Sequence, residues 1–255
     1  MKSIKTYIVN LETSNVRRRY MEDLLHRYTF LDVEFIKAFD GRKLTPQDRR
    51  LVFDDTSCMK HIGRLLNGGE IGCTLSHRKC CQALLESNEP YALILEDDIA
   101  PVRDLKEMEN YDWDKWLDTD KPTVLFLSGD YWYYKRKAIV PVFDAVGTYS
   151  YFINSEGAKL ILSLGKPYNA ADDWALYRRN GLKMKAVFPY MIDANVNMEV
   201  LSSEINQNEW GLNRKKMKSS EVIWSCYGSV VKKIMKRLGL FESKIRVINN
   251  VIVNE

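Results

Sequence analysis

Three consecutive carboxylates, Glu96, Asp97 and Asp98, close the segment YALILEDDIAP. Adjacent carboxylates repel one another and lose hydration together when an apolar strand carries them inward, so they need compensation. Side chains alternate along a strand, which puts Glu96 and Asp98 on one face and Asp97 on the other. Two hard oxygen donors on one face can present a divalent cation to a phosphate group. A solvated acidic turn is the plainer reading of the same residues. A second acidic pair, Asp172–Asp173, heads a helical pattern. Carboxylates there either complement the helix dipole or act as a general base toward a hydroxyl group. Arg17, Arg18 and Arg19 open another helical pattern, where their charge opposes the dipole and points to an anionic partner. GDYWYYKRK sets four aromatics beside three cations, a weak signal shared by sugar-stacking loops and core edges. The histidines are His26, His61 and His77, and by residue type His77 reads as a satisfied core histidine. No phosphate-binding glycine loop, dinucleotide fingerprint or HExxH zinc motif occurs.

These residues need elements to hold them. Tyr91 to Leu95 is a continuous apolar run, as expected of a strand covered on both faces of a sheet. IKTYIVNL reads as a strand, VRRRYMEDLLHRY as a helix and VEFIKAFD as a second strand ended by Gly41. That strand–helix–strand unit predicts an α/β fold with a parallel sheet. Thr45 and Pro46 suit a helix start, and GGEIGCTLSHRKCCQALLES predicts a helix with a small-residue face at Cys73, Ser76 and Cys80. PTVLFLSGD is another buried strand, TYSYFINSEGAKLILSL a strand, a Ser155 cap and a helix, and DDWALYRRNGLKMKAVFPY a helix and a strand. Both acidic groups thus fall near strand–helix junctions, where open α/β sheets bind ligands.

The 255 residues suit one large domain or a domain with an appendage, and 45% hydrophobic residues suffice for a sizeable core. The first residues are too short an apolar run for a secretory signal, and no stretch reaches the roughly 20 apolar residues that span a bilayer. Cys58, Cys73, Cys80, Cys81 and Cys226 are odd in number and lack CxxC spacing. They read as reduced thiols of a cytoplasmic protein rather than a disulfide framework or zinc site. The net charge of +4 is uneven: Asn213 to Gly239 carries +7, leaving −3 elsewhere.

Together these segments resemble glycosyltransferase family 25, lipopolysaccharide sugar transferases that include bacterial β-1,4-galactosyltransferases. The opening YIVNLETSNVRRRYMEDLL is similar to the family's VINL-like strand and arginine-bearing helix, and FIKAFDGRKL to its A-x-D-G segment. GGEIGCTLSHRKCCQALLESNEPYALILEDDIAP is close to its GEIGC-x-x-SH … LEDD pattern. TYSYFINSEGAKLIL and AADDW match two further blocks, so the resemblance runs in order from Ile4 to Ile205.

The resemblance implies an α/β GT-A fold, Rossmann-like and nucleotide-sugar-binding. It also implies a UDP-linked galactose or glucose donor, inversion at the anomeric carbon, and a divalent metal, Mn²⁺ or Mg²⁺. Glu96 and Asp98 are then metal ligands, and Asn10, Arg17, Ser76, His77 and Asp97 donor-binding residues. Asp172 or Asp173 is the base: the family pattern favours Asp172, whereas DDWALYRR looks like the helix start that favours Asp173 in other inverting GT-A enzymes. One departure is that no histidine follows His77 to complete the metal site; diphosphate oxygens and water are then the remaining ligands, with Asp193 or Asn195 only a lesser candidate.

Residues 1–212 form the expected GT-A domain and 213–255 a basic, amphipathic, helical C-terminal extension. Val222, Ile223, Cys226, Tyr227, Val230, Val231, Ile234, Met235 and Leu238 recur near helical spacing, interleaved with Lys232, Lys233, Lys236 and Arg237. Such a helix suits the anionic cytoplasmic face of an inner membrane, beside a glycan or glycolipid acceptor of the lipopolysaccharide or lipooligosaccharide type. No nucleic-acid recognition module accompanies the charge. The alternative is a catalytically silent scaffold of the same fold that binds nucleotide sugars or assists assembly.

Overall fold

The structure, a computed structural model, describes residues 3–128, 131–134, 139–194, 230–231, 233–243, 245–248 and 251–254. The chain begins with β1 (Ile4–Asn10), α1 (Asn15–Leu25) and β2 (Leu31–Lys37), then a 3-10 turn at Gly41–Lys43. Three helices follow, α2 (Pro46–Val52), α3 (Asp55–His61) and the long α4 (Gly68–Ser87). Next come β3 (Tyr91–Glu96), β4 (Ile99–Pro101), α5 (Trp113–Leu117), β5 (Thr123–Phe126), β6 (Tyr131–Tyr134), β7 (Ile139–Ala145) and β8 (Ser150–Asn154). The chain continues through α6 (Ser155–Ser163), α7 (Trp174–Arg179), β9 (Lys183–Val187) and β10 (Ile192–Ala194), and ends in β11 (Phe241–Ser243), β12 (Ile245–Ile248) and β13 (Val251–Asn254).

Nine strands form one sheet in the order β11-β6-β7-β9-β5-β8-β3-β1-β2. β1 pairs parallel with both β2 and β3, as the strand–helix–strand pattern predicts. The expectation of a parallel sheet holds only in part, because β8 runs antiparallel between β3 and β5. A parallel half, β2-β1-β3, thus meets a mixed half across one reversed strand.

Both faces of the central strands are covered, which explains their unbroken apolar runs. Ile94 packs with Cys80, Cys81 and Leu84 of α4 and with Ala158 and Ile161 of α6. Leu93 and Leu95 face the other way, onto Met21 and Leu25 of α1 and Trp113 and Leu117 of α5. Each such side chain contributes about 1.5–3 kcal/mol on full burial. A smaller cluster of Phe53, Cys58, Leu66 and Ile71 ties α2 and α3 to the first turns of α4.

The helix starts follow local chemistry. Thr45 and Asp48 form a capping box at α2, and Asn67 and Glu70 another at α4. At α6 the cap is Asn154, not Ser155: its side-chain oxygen accepts from Gly157 N at 2.9 Å. Asn154 is also the last residue of β8, and its buried amide donates to Leu117, Thr119 and Lys121 carbonyls, so one side chain ends a strand, starts a helix and anchors a loop.

The C-terminal extension is helical at 230–231 and 233–237, but it is not helix throughout. β11 pairs antiparallel with β6 and becomes the sheet's edge strand, and β12 and β13 form a hairpin. Val222, Ile223, Cys226 and Tyr227, on which the longer amphipathic helix was expected, lie outside the described residues. The tyrosines of the aromatic segment that are described, Tyr131 and Tyr133, belong to the core.

The turn at Gly41–Lys43 crosses α4 at glycine-only distance. A Cβ on Gly41 would stand 2.0 Å from the Gly68 carbonyl oxygen and 2.7 Å from Gly72 N, both backbone atoms that cannot swing aside. Gly41→Ala should therefore destabilise the protein by about 1–3 kcal/mol, the usual cost of overpacking. Urea unfolding checks this, and an unchanged midpoint would mean the crossing yields easily.

Candidate active site

β1 and β3 are parallel neighbours, and Val9 sits opposite Glu96. Their carboxyl ends therefore stop together, and the next residues, Asn10 and Asp97, meet. Strand geometry ends at Glu96, so Asp97 and Asp98 lie in a turn before β4 rather than continuing the strand's alternation. The partners nevertheless separate the three carboxylates. Asp97 accepts from Asn10 Nδ2 at 2.7 Å and from Arg17 Nη1 at 2.8 Å, which engages both its oxygens. Arg17 Nη1 also lies 3.3 Å from Asp98 Oδ2. Glu96 turns toward α4 and accepts from the Thr148 hydroxyl, with His77 Nε2 3.4 Å from the same oxygen.

The remaining atom of interest is Asp98 Oδ1, which is buried and has no hydrogen-bond partner. Burial, reinforced by the charges of Glu96 and Asp97, pushes the Asp98 carboxyl up to about 7. Burial raises Asp97 as well, with Arg17 and Asn10 opposing it. Glu96 goes the other way: burial works against its charge, but His77, Thr148 and Arg17 outweigh it and hold the carboxyl below its ordinary value. The three neighbours are thus a Glu96 whose charge is favoured, a clamped Asp97 and an Asp98 whose charge is disfavoured.

The second acidic pair divides in a similar way. Asp173 is the N-cap of α7, its Oδ1 accepting from Leu176 N at 3.0 Å, and its Oδ2 is 2.5 Å from His61 Nε2. Asp172 takes a hydrogen bond from Gly147 N at 3.0 Å, and its carboxyl is raised, chiefly by burial and further by Asp173 and Glu96. Gly147 and Thr148, after β7, therefore hold one carboxylate from each acidic group: the Gly147 amide reaches Asp172 and the Thr148 hydroxyl reaches Glu96. Gly147 has φ +81°, and Trp174 Nε1 fixes its carbonyl at 2.9 Å. The charges of Glu96, Asp172 and Asp98 all act on the half-buried Cys73 thiol, which desolvation first and these charges second push well above its ordinary value.

Arg17, Ser76, His77, Glu96, Asp97 and Asp98 line one cleft with Phe39, Arg42 and Cys73. It encloses about 690 Å³, counting its open mouth. Ser76 is occupied structurally, since its hydroxyl donates to Gly72 O and accepts from Phe39 N, which pins the 39–42 wall. Of the other arginines in the cluster, Arg18 pairs with Glu22 at 2.9 Å and lies over the Phe35 ring, and Arg19 is exposed. Asp193 is on β10, paired with Ala100 of β4 just beyond the acidic turn, and its side chain bonds Ala194 N. Asn195 lies outside the described residues.

Sequence reasoning did not assign Thr148, Gly147, Tyr151 or His61 to the site. Thr148 and Tyr151 fall inside the quoted TYSYFINSEGAKLIL block, where spacing gave no hint that the loop before a strand would reach the acidic turn. His61 reaches Asp173 across 112 positions, a contact no local pattern reveals.

Residues 3–176 match the model of glycosyltransferase family 25, described as an LPS biosynthesis protein. The chain belongs to that family. A glycosyltransferase-named protein of Haemophilus influenzae is 27% identical over 179 residues, covering 66% of this chain and 60% of its own. A family-25 member of Aedes aegypti is 36% identical over 96 residues, 36% of this chain and 16% of its own length. A protein of Acanthamoeba polyphaga mimivirus, also named a glycosyltransferase, is 33% identical over 109 residues, 42% of this chain and 32% of its own. The chain thus spans between 16% and 60% of the length of these relatives.

The raised Asp98 carboxyl gives a test in metal-free protein. The native state holds a proton up to about pH 7 that the unfolded chain loses near its ordinary value of 3.8. Native protein therefore binds more protons between these limits, so this residue makes stability fall as pH rises from about 4 to 7. Asp98→Asn should remove that decline and, at pH 8 with chelator present, unfold at higher urea than the wild type. A variant less stable at pH 8 would contradict the burial of an uncompensated charge.

Proposed function

We propose that this family-25 protein transfers a hexose, galactose or glucose, from a UDP-sugar to a glycan or glycolipid acceptor of the lipopolysaccharide type, with inversion. The observation that carries the reading is the Gly147–Thr148 turn, which holds Asp172 and Glu96 at one site. A transferase needs two kinds of carboxylate near one anomeric carbon, one for the leaving group and one for the nucleophile.

Glu96 and Asp98 would hold a divalent metal. The unpartnered Asp98 Oδ1 and the mutual repulsion of the two carboxylates fit a hard cation there. Mn²⁺ or Mg²⁺, when bound, would offset charge on the leaving diphosphate. Arg17 and Asn10 neutralise and fix Asp97, so that the turn presents Asp98 to the cleft. The 39–42 wall, held to α4 by Ser76 and the glycine crossing, forms the other side of the donor cleft.

Asp172 is the base in this reading. Asp173 already spends its oxygens on the α7 cap and on His61, whereas Asp172 accepts from the Gly147 amide. The acceptor oxygen attacks the anomeric carbon as the carbon–oxygen bond to the UDP phosphate breaks. The bonding pair leaves with UDP, and the hydroxyl proton passes to the Asp172 carboxylate. Burial raises the base toward working pH, which favours proton transfer.

The C-terminal helix supports a membrane-side acceptor. Val230, Ile234 and Leu238, four residues apart, are 50%, 51% and 64% exposed, with Lys233, Lys236 and Arg237 between them. Such a face suits an anionic membrane surface. No helix among the described residues is long and apolar enough to cross a membrane.

Hydrolysis of a UDP-sugar panel with and without Mn²⁺ tests the donor half without knowledge of the acceptor. One sugar should be consumed in the presence of metal. Once an acceptor supports transfer, Asp172→Asn should lower kcat by about 10²–10⁴-fold. Asp173→Asn, which retains an N-cap side chain, should lose far less. The reverse order would assign the base to Asp173, and binding of UDP-sugars without turnover under any metal would favour the silent scaffold.

A further inference from the structure

Cys73 and His77 stand one turn apart on α4, so both side chains leave the helix on one face. Glu96 reaches the same point from the end of β3. The Cys73 sulfur, a His77 ring nitrogen and a Glu96 oxygen all lie within 4.8 Å of one another. Ligands held at ~2.0–2.3 Å by a tetrahedral zinc ion stand roughly 3.5 Å apart. His77 Nε2 and Glu96 Oε1, 3.4 Å apart, already have that spacing.

Independent features separate this trio from a chance cluster. His77 is 5% exposed, and its Nε2 is buried with no hydrogen-bond partner while facing Glu96. Its other nitrogen meets the Tyr151 hydroxyl at 2.8 Å, the kind of support that fixes a ligating imidazole. The Cys73 thiol meets the Thr148 hydroxyl at 3.9 Å, a weak contact that a metal bond would readily replace. All three residues line the cleft, which gives an ion its route from solvent.

The donor set selects the ion. Thiolate and imidazole suit zinc-class cations, whereas the all-oxygen pair of Glu96 and Asp98 suits Mg²⁺ or Mn²⁺. We propose that Cys73, His77 and Glu96 form a second cation site, taking a borderline-soft divalent ion of the zinc class and open toward the cleft. Binding replaces the Cys73 S–H bond with a sulfur–metal bond and releases that proton to solvent. Glu96 belongs to both sites, so the two ions compete for its carboxylate. That consequence for turnover rests on the donor reading above, whereas the binding does not. The cysteine count and spacing argued against zinc because the ligands come from one helix turn and a distant strand end.

Co²⁺ serves as the spectroscopic probe, titrated into chelator-treated full-length protein. A thiolate-to-cobalt charge-transfer band should grow to one ion per chain, release one proton per ion in weak buffer, and disappear on adding equimolar Zn²⁺. Cys73→Ser should abolish the band. His77→Ala should weaken Co²⁺ binding by more than the ~10–100-fold that loss of a supporting contact costs. Cys226→Ser, in a segment outside the described residues, should change nothing. Melting curves of the metal-free variants verify folding. If Cys73→Ser does not fold, X-ray absorption of zinc-loaded wild type should show one sulfur among nitrogen and oxygen ligands. Absence of the band, its survival in Cys73→Ser, or a zinc shell without sulfur overturns the site. A protein that hydrolyses no UDP-sugar would defeat the donor reading and leave this titration untouched.

Discussion

Glu96, Asp97 and Asp98 lose water together where β3 leaves the sheet, and each is answered by a different element. Asp97 is met by Asn10 at the end of β1 and Arg17 on α1. Glu96 is met by Thr148 from the loop before β8 and by His77 on α4. Asp98 is met only partly, by Arg17 at 3.3 Å, and retains a buried oxygen with no partner. Compensation is therefore complete at one end of the triplet and withheld at the other. An unpaired buried charge is costly, so the arrangement gives up stability at Asp98.

The sheet makes this economical. Parallel β1 and β3 end in register, so strand pairing itself brings Asn10 to Asp97. The reversed strand β8 lies on the other side of β3, and the loop that enters it delivers Gly147 and Thr148 to the two acidic groups at once. A fully parallel sheet would enter the neighbouring strand from the opposite edge and send that loop elsewhere. The antiparallel strand, the main departure from the expected topology, is thus what joins the two acidic groups. α4 completes the enclosure, with its glycines pressed against the 39–42 wall and Cys73 and His77 turned inward.

Much of this was legible in the chain, for identifiable reasons. Continuous apolar runs marked the doubly covered strands, and Thr45 with Pro46 marked the start of α2. The EDD and ADD groups announced themselves by local charge density. Contacts set by tertiary approach were not legible: His61 on Asp173, Thr148 on Glu96, and the split of Asp172 and Asp173 into a lightly bonded carboxylate and a helix cap. Local propensity also misplaced the α6 cap, since Ser155 and Asn154 are both good caps and only the buried loop contacts of Asn154 decide between them. The C-terminal segment showed its amphipathic period, but not that β11 would extend the sheet beside β6.

The central claim is that the acidic turn binds a nucleotide diphosphate through a cation held by Glu96 and Asp98. Calorimetric titration of UDP into wild type and Asp98→Asn, each with Mn²⁺ and with chelator, tests it most directly. UDP should bind wild type only when Mn²⁺ is present, and the variant should lose that metal-dependent affinity while remaining folded. Equal UDP affinity in all four titrations would show that the acidic turn does not bind the diphosphate through a metal, and would contradict the account.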